Sequence, residues 1–251
     1  FQRMRELEYD YIVTGHYARV EYDEKRDRYL LKKAVDDTKD QSYVLYMLTQ
    51  EQLAHVKLPL GGLRKDQVRV IAEKHGFINA RKHDSQDICF VPDGDYAKFI
   101  EKYTGKKTPE GDFVDKEGNY IGRHKGIIHY TIGQRRGLGI PAASRLYVCE
   151  ISPKTNTVVL GDNADLFSSE LEADNVNLIS VDSLAEPKRV TAKIRYRHKE
   201  QPATAWQTPD GILHVKFDEP QRAITKGQAV VMYDGDEVVG GGAINKIYSQ
   251  S

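Results

Sequence analysis

The chain has 251 residues, more than one core usually holds, so two or three domains are expected. Lys plus Arg and Asp plus Glu each number 37, so formal net charge is zero and any nucleic-acid surface must come from local segregation of charge. The two cysteines lie far apart with no C-x-x-C pair, which argues against a disulfide scaffold or a structural zinc site.

No run is long and apolar enough to span a membrane, and no signal peptide is visible, which predicts a soluble, cytoplasmic protein without a membrane partner. The opening "FQRMRELEYDYIVTGH" has apolar residues at helical spacing but no capping residue ahead of them. It reads as a helix without its beginning, hence a C-terminal fragment of a longer protein. "YDYIVTGH" reads as a helix end, a short buried strand and a Gly loop. In an open α/β sheet, ligands sit beyond the carboxyl ends of strands, which is where Gly15 and His16 fall. An ordinary strand-loop junction is the plainer alternative.

"ARVEYDEKRDRYLLKKAV" alternates about a charged centre and predicts a hairpin. "KDQSYVLYMLTQEQLAHV" and "KDQVRVIAEKHG" predict helices; in the second, Val68, Ile71 and Ala72 share a face and Gly76 supplies the stop. Helix and strand alternate through residue 91, as in half of a parallel α/β domain. "DYAKFIEKYTG" predicts a helix capped by Asp93 or Asp95 and stopped near Gly105. "EGDFVDKEGNYIG" and "RLYVCEISPKTNTVVLGD" predict hairpins, the second turning at Ser152 to Asn156. "HKGIIHYTIGQRRGLGIP" joins an apolar helical turn to a Gly- and Arg-rich loop. The remainder, "VTAKIRYR", "ATAWQT", "PDGILHVKFD" and "QAVVMYDGDEVVGGGAI", is strand-like between Asp-Gly and Pro turns, as in a small β-barrel. The fold class is therefore α/β plus all-β, with residues 1–92, 93–162 and 163–251 as three domains.

Chemistry has few places to sit. Between Lys188 and Lys199 six cations occur with no acid among them. Read as a strand, Lys193, Arg195 and Arg197 share one face at roughly 6.5–7 Å spacing, near that of phosphates on an extended nucleic-acid strand. With Arg123, Lys125, Arg135 and Arg136 as a second cluster, an RNA surface and a solvated sheet face are equally good readings. Cys149, in "LYVCEI", shares a strand face with Tyr147 and Ile151 and reads as an inert packing thiol. Cys89 follows the polar run "RKHDSQDIC", whose donors suit a thiolate or persulfide, although packing is the commoner fate of a lone cysteine. No Gly-rich phosphate loop of a familiar kind occurs in these residues.

Six segments run in order from start to end: "TGHYARV", "KDQSYVLYML", "LGGLRKDQVRVIA", "SQDICFV", "YTIGQRRGLGI" and "FDEPQRAITKGQAVVMYDGDEVVGGGAI". Together they resemble the bacterial tRNA-specific 2-thiouridylases (MnmA/TrmU family). The resemblance implies a truncated PP-loop, Rossmann-like domain, a small mixed α+β middle domain and a C-terminal β-barrel that binds tRNA. It implies ATP, with magnesium expected, to adenylate the C2 oxygen of the wobble uridine in tRNA, and no other bound metal or organic cofactor. It further implies a persulfide on Cys89, loaded by a sulfur-relay protein fed by a cysteine desulfurase. By the same resemblance Gly15 meets the nucleotide, and His16, Lys39, Asp40, Gln41, Arg195, Tyr196 and Gln228 contact tRNA. Strict alternation would put Arg195 and Tyr196 on opposite faces, so a bend or strand end is expected there. The family's PP-loop, its acidic residue at the base and its other catalytic cysteine would all precede Phe1, leaving a fragment without thiolation activity of its own. A non-catalytic tRNA-binding module and a sulfur carrier acting through Cys89 are the alternatives.

Overall fold

The structure, a computed structural model, describes residues 1–78, 80, 91, 94–141 and 144–248. The N-terminal stretch forms α1 (Gln2–Glu6), β1 (Ile12–Val13), the hairpin β2 (Ala18–Asp23) and β3 (Arg28–Lys33), then α2 (Ser42–Leu45), α3 (Gln50–Ala54), β4 (Val56–Lys57) and α4 (Lys65–Lys74). The single helix expected over residues 39–56 breaks in two. Thr49 has extended backbone and begins a new helix: its side chain accepts from the Gln52 N–H while the Gln52 side chain returns to the Thr49 N–H, a reciprocal cap that starts a helix wherever it occurs. Strand β1 is likewise shorter and more open than expected. It pairs in parallel with β4 over two residues, and Val13 is 66% exposed. Gly76 ends α4 in the left-handed region, as read, but α4 buries none of its residues within this unit.

Residues up to 80, with Ser169–Glu219 and Thr225–Tyr248, make one compact unit; those from 91 to Ser168, with Pro220–Ile224, make a second. The second unit contains α5 (Tyr96–Thr104), β5 (Gly111–Val114), β6 (Tyr120–His124), β7 (Tyr147–Ser152) and β8 (Thr157–Gly161), the strands ordered β6-β5-β8-β7. Asp95 caps α5 through the Lys98 N–H at 3.0 Å, and Gly105 closes it at φ +66. The core packs Phe113, Tyr130, Leu138, Val148, Val158 and Leu160. Buried His124 stands edge-on to Phe113, accepts from Gly126 N at Nδ1 (3.0 Å) and reaches the Asn156 carbonyl at Nε2 (3.1 Å). Those two partners fix it as the neutral Nε2–H tautomer.

The strands β9 (Phe167–Leu178), β10 (Lys188–Lys193), β11 (Gln201–Gln207), β12 (Leu213–Arg222), β13 (Ala229–Asp234) and β14 (Glu237–Tyr248) belong to the first unit, apart from the start of β9 and the end of β12. They run in the order β13-β10-β11-β12-β9-β14, and β13 pairs with β14 to close a six-stranded barrel. Closure removes the edges that an open sheet would leave unpaired. The β2–β3 hairpin extends the sheet beside β14 through the pair Lys32 and Glu237.

Strand β13 is buried on both faces: Val231 and Tyr233 join a cluster with Ala18, Leu31, Tyr43, Tyr46, Leu53, Val56, Ile179 and Val238, while Val230 and Met232 alternate with them. The N-terminal stretch and the barrel thus share one core. "GGG" at residues 240–242 is what permits this approach: a Cβ on Gly241 would stand 2.5 Å from the Val230 carbonyl oxygen and 2.7 Å from the Tyr46 ring. Gly241→Ala is therefore expected to cost about 1–3 kcal/mol of stability by overpacking, read as a lower urea midpoint; an unchanged midpoint would mean the two parts are not packed through this contact.

Candidate nucleic-acid interface

The segment following β1 is fastened to the start of α2 by paired backbone and side-chain bonds. Gln41 N donates to the Tyr17 carbonyl at 2.7 Å, and Tyr17 N donates to Gln41 Oε1 at 3.0 Å. Gly15 and His16 therefore lie two and one residues from a fixed point, Tyr17, beside the Lys39–Gln41 triplet. His16 Nδ1 is 2.9 Å from the Thr14 hydroxyl. The Asp40 carboxylate is taken up locally: Oδ1 accepts from Ala34 N (3.0 Å) and Ser42 N (3.2 Å), and Oδ2 from the Ser42 hydroxyl (2.7 Å). Before the triplet, buried Asp36 accepts from the Thr38 hydroxyl (2.6 Å) and from Lys65 N (2.9 Å). The Thr38 bond, then the Lys65 N–H, hold the Asp36 carboxyl below its usual range.

The barrel meets this segment at a bend. Strand β10 ends at Lys193, and residues 194–197 form a bend and turn closed by His198 N donating to the Arg195 carbonyl at 3.0 Å. The single-face stripe of Lys193, Arg195 and Arg197 is thereby corrected, since alternation stops at the first of them. The bend expected between Arg195 and Tyr196 is present, and it turns the Tyr196 hydroxyl to donate to the Asp40 carbonyl at 3.3 Å. The Tyr196 ring lies 6.0 Å from that of Tyr43. The Tyr43 hydroxyl in turn donates to the carbonyl of Ala229 at 2.9 Å, next to exposed Gln228. Burial pushes the Tyr43 phenol up to about 12 and raises Tyr196 as well, so both remain neutral donors at physiological pH. His198 is pushed down by burial first, and then by Arg195 and Lys193, and its buried Nδ1 has no hydrogen-bond partner among the described residues.

Asp40, Gln41, Tyr196 and the backbone beside Gln228 are thus brought to one junction, with Lys39 and Arg195 adjoining by sequence. Sequence reasoning missed Ser42 and Tyr43, whose signal was a Ser-Tyr pair directly after the triplet, and it read Lys193 only as one member of a basic stripe. It also overestimated the free charge. Lys188 pairs with Asp234 of the neighbouring β13 at 2.8 Å, Arg189 reaches across β11 to Asp218 of β12 at 2.7 Å, and in the second unit Arg123 pairs with Asp112 at 2.9 Å. A cleft of about 630 Å³ lies elsewhere in the first unit, lined among others by Val13, Arg19, Tyr22, Tyr29, Val56 and Lys57. None of the sequence-predicted site residues lines it.

Cys89 lies outside the described residues. Cys149 is half-buried on β7, and burial, with Asp165 nearby, pushes its thiol up to about 11. At pH 8 its thiolate is therefore scarce, and in a Cys89→Ser background it should react with a disulfide reagent about two orders of magnitude more slowly than a free cysteine. A rate equal to that of a free thiol would contradict its placement. Gly15 is exposed, and a Cβ there would meet only Leu60 at 3.6 Å. Gly15→Ala should consequently leave stability within about 0.5 kcal/mol of the parent by thermal melting. A larger loss would show that the chain itself needs this glycine.

Comparison with known proteins accords with this arrangement. Residues 1–93 match the family model for a tRNA methyl transferase HUP domain, residues 97–162 that for a tRNA methyl transferase PRC-barrel domain, and residues 168–244 that for an aminomethyltransferase beta-barrel domain. The tRNA-specific 2-thiouridylase MnmA of Clostridioides difficile is 56% identical over 98% of this chain and 68% of its own length. That of Acetivibrio thermocellus is 56% identical over 94% of the chain and 66% of its own length, and MnmA 1 of Thermoanaerobacter sp. 56% over 94% and 65%. The chain spans about two thirds of the length of the curated relatives it matches. With its HUP, PRC-barrel and β-barrel segments in that order, the chain belongs to the tRNA-specific 2-thiouridylase MnmA family.

Proposed function

We propose that this chain carries the RNA-gripping and sulfur-carrying parts of an ATP-dependent tRNA 2-thiouridylase that acts in the cytoplasm on tRNA with a wobble uridine. The observation that supports the reading is the junction at Asp40, where a segment preceding α2 and two loops of the barrel are tied by Tyr196 and Tyr43. In this reading Lys39 and Arg195 meet phosphates, Tyr196 offers a ring edge to a base, and His16 and Gln228 complete the surface. Asp40 and Gln41 shape it, because their side chains are already bonded to the backbone at Ala34, Ser42 and Tyr17. A base must leave its stack to be modified, which calls for a broad grip on the surrounding backbone.

Gly15 is placed against the nucleotide: it is exposed at the end of β1 and has room on its Cα side. When bound, ATP supplies the adenylyl group that makes the uridine C2 oxygen a good leaving group. Among the described residues no group of three or more His, Cys, Asp or Glu is arranged to hold a metal ion. No helix among the described residues is long and apolar enough to cross a membrane. Cys89 carries the persulfide, delivered by a relay protein fed by a cysteine desulfurase; its terminal sulfur attacks C2, AMP leaves with the former C2 oxygen, and a second thiol breaks the S–S bond by forming a disulfide with Cys89. Cys149 does not compete, because its raised pKa keeps it protonated.

The test is transfer of radiolabelled sulfur from a desulfurase and relay system onto the chain, alongside tRNA binding at low salt. Cys89→Ser should abolish labelling and Cys149→Ser should leave it intact, with tRNA bound in both. Label that ignores Cys89 overturns the sulfur assignment. Label on Cys89 without tRNA affinity reduces the chain to a sulfur carrier, and tRNA affinity without label reduces it to an RNA-binding module.

A further inference from the structure

Strand β10 carries three cations, and they are handled in two ways. Lys188 and Arg189 are neutralised by Asp234 and Asp218, the second through two parallel bonds of 2.7 Å. Lys193 has no carboxylate within salt-bridge distance among the described residues. Its ammonium stands instead 5.8 Å from the centroid of the Tyr43 ring and 5.9 Å from that of Tyr196. The register opposite Val231 sets its stem against the core that contains Tyr43 and Tyr233.

The acids close to this corner are engaged elsewhere. The Asp40 carboxylate accepts from Ala34 and Ser42. Glu200 pairs with Lys33 at 2.7 Å and accepts from the Thr191 hydroxyl at 2.7 Å. The other charges at the corner are cations: Lys39 and Arg197 act on Tyr196, and Arg195 with Lys193 disfavours protonation of His198. A ring face attracts and orients an ammonium but does not cancel its charge, and the attraction reaches to about 6 Å from the centroid. A lysine keeps three donors for an anion.

We propose that Lys193 is a phosphate-contact residue of the RNA surface: the rings of Tyr43 and Tyr196 hold its ammonium in place and leave its charge for a phosphodiester, while Tyr196 faces the adjoining nucleotide. The inference deepens the tRNA-binding reading and rests on it. An extended strand of nucleic acid is what pairs a cation and an aromatic edge side by side, by alternating phosphate and base.

The experiment is a salt titration of tRNA affinity with the full chain and three variants, each checked by thermal melting. Neutralising one phosphate contact lowers the slope of log K against log salt by about 0.7–0.9 and weakens binding about fivefold at 0.1 M salt. Lys193→Gln should show both changes, and Lys193→Arg should retain the parental slope. Lys188→Gln, which removes a cation already paired, should leave the slope unchanged. If the parent chain binds tRNA with a salt-dependent slope that Lys193→Gln leaves intact, Lys193 is not a phosphate contact although the RNA-binding reading stands. If the parent chain shows no salt-dependent affinity, both readings fall.

Discussion

A buried tyrosine that places its hydroxyl on a distant carbonyl ties two parts of a chain together, and in the larger unit Tyr43 does this. Tyr43 is packed against Leu31, Val231 and Tyr233 in the shared core, and it places its hydroxyl on the Ala229 carbonyl at 2.9 Å. Losing such a bond while the carbonyl remains buried costs on the order of 1–3 kcal/mol, so β13 and α2 are held in one register. The Asp40 turn that precedes Tyr43 is fixed by three donors of its own, and Tyr196 closes on that turn from the barrel. From these contacts follow the position of the triplet, the orientation of the bend after β10, and the corner in which Lys193 sits.

A surface built this way is preorganised. The groups proposed to meet RNA stand on backbone that is hydrogen-bonded on both sides, so little ordering remains to be done when a ligand arrives. Charge is apportioned in the same spirit. The chain has equal numbers of acids and bases, and in the larger unit several cations are matched to acids distant in sequence, as Lys188 is to Asp234, Arg189 to Asp218 and Lys33 to Glu200. The unmatched ammonium of Lys193 then matters more than the summed charge of its segment. The two thiols divide similarly: Cys149 is made inert by burial, which leaves sulfur chemistry, on the proposed reading, to Cys89.

Local chemistry was legible in the sequence. Asp95 and Gly105 bound α5, Gly76 ends α4, and the turn after Ser152 contains Asn156 with positive φ, all as composition and turn rules require. The barrel was legible from its Asp-Gly turns and alternation. Long-range consequences were not. Acids supplied from other strands to Lys188 and Arg189 are 46 and 29 residues away, so a run with no acid in it was read as more basic than it is. The bond from Tyr43 to Ala229 spans 186 residues and left no local trace. Val13 was read as buried because an apolar dipeptide does not reveal how many strands flank it. The bend at Arg195 followed from the family pattern, since "VTAKIRYR" alone continues to alternate.

On the proposed reading, the segment around Asp40 and the barrel loops at Tyr196 and Gln228 form one RNA-facing surface. Hydrogen exchange of the chain with and without tRNA, resolved to peptides, tests it most directly. Residues 36–43, 193–198 and 226–229 should gain protection together, at the same tRNA concentration, while the strands around Trp206 and His214 should not. Protection confined to one of these segments, or centred on the Trp206 side of the barrel, would contradict it.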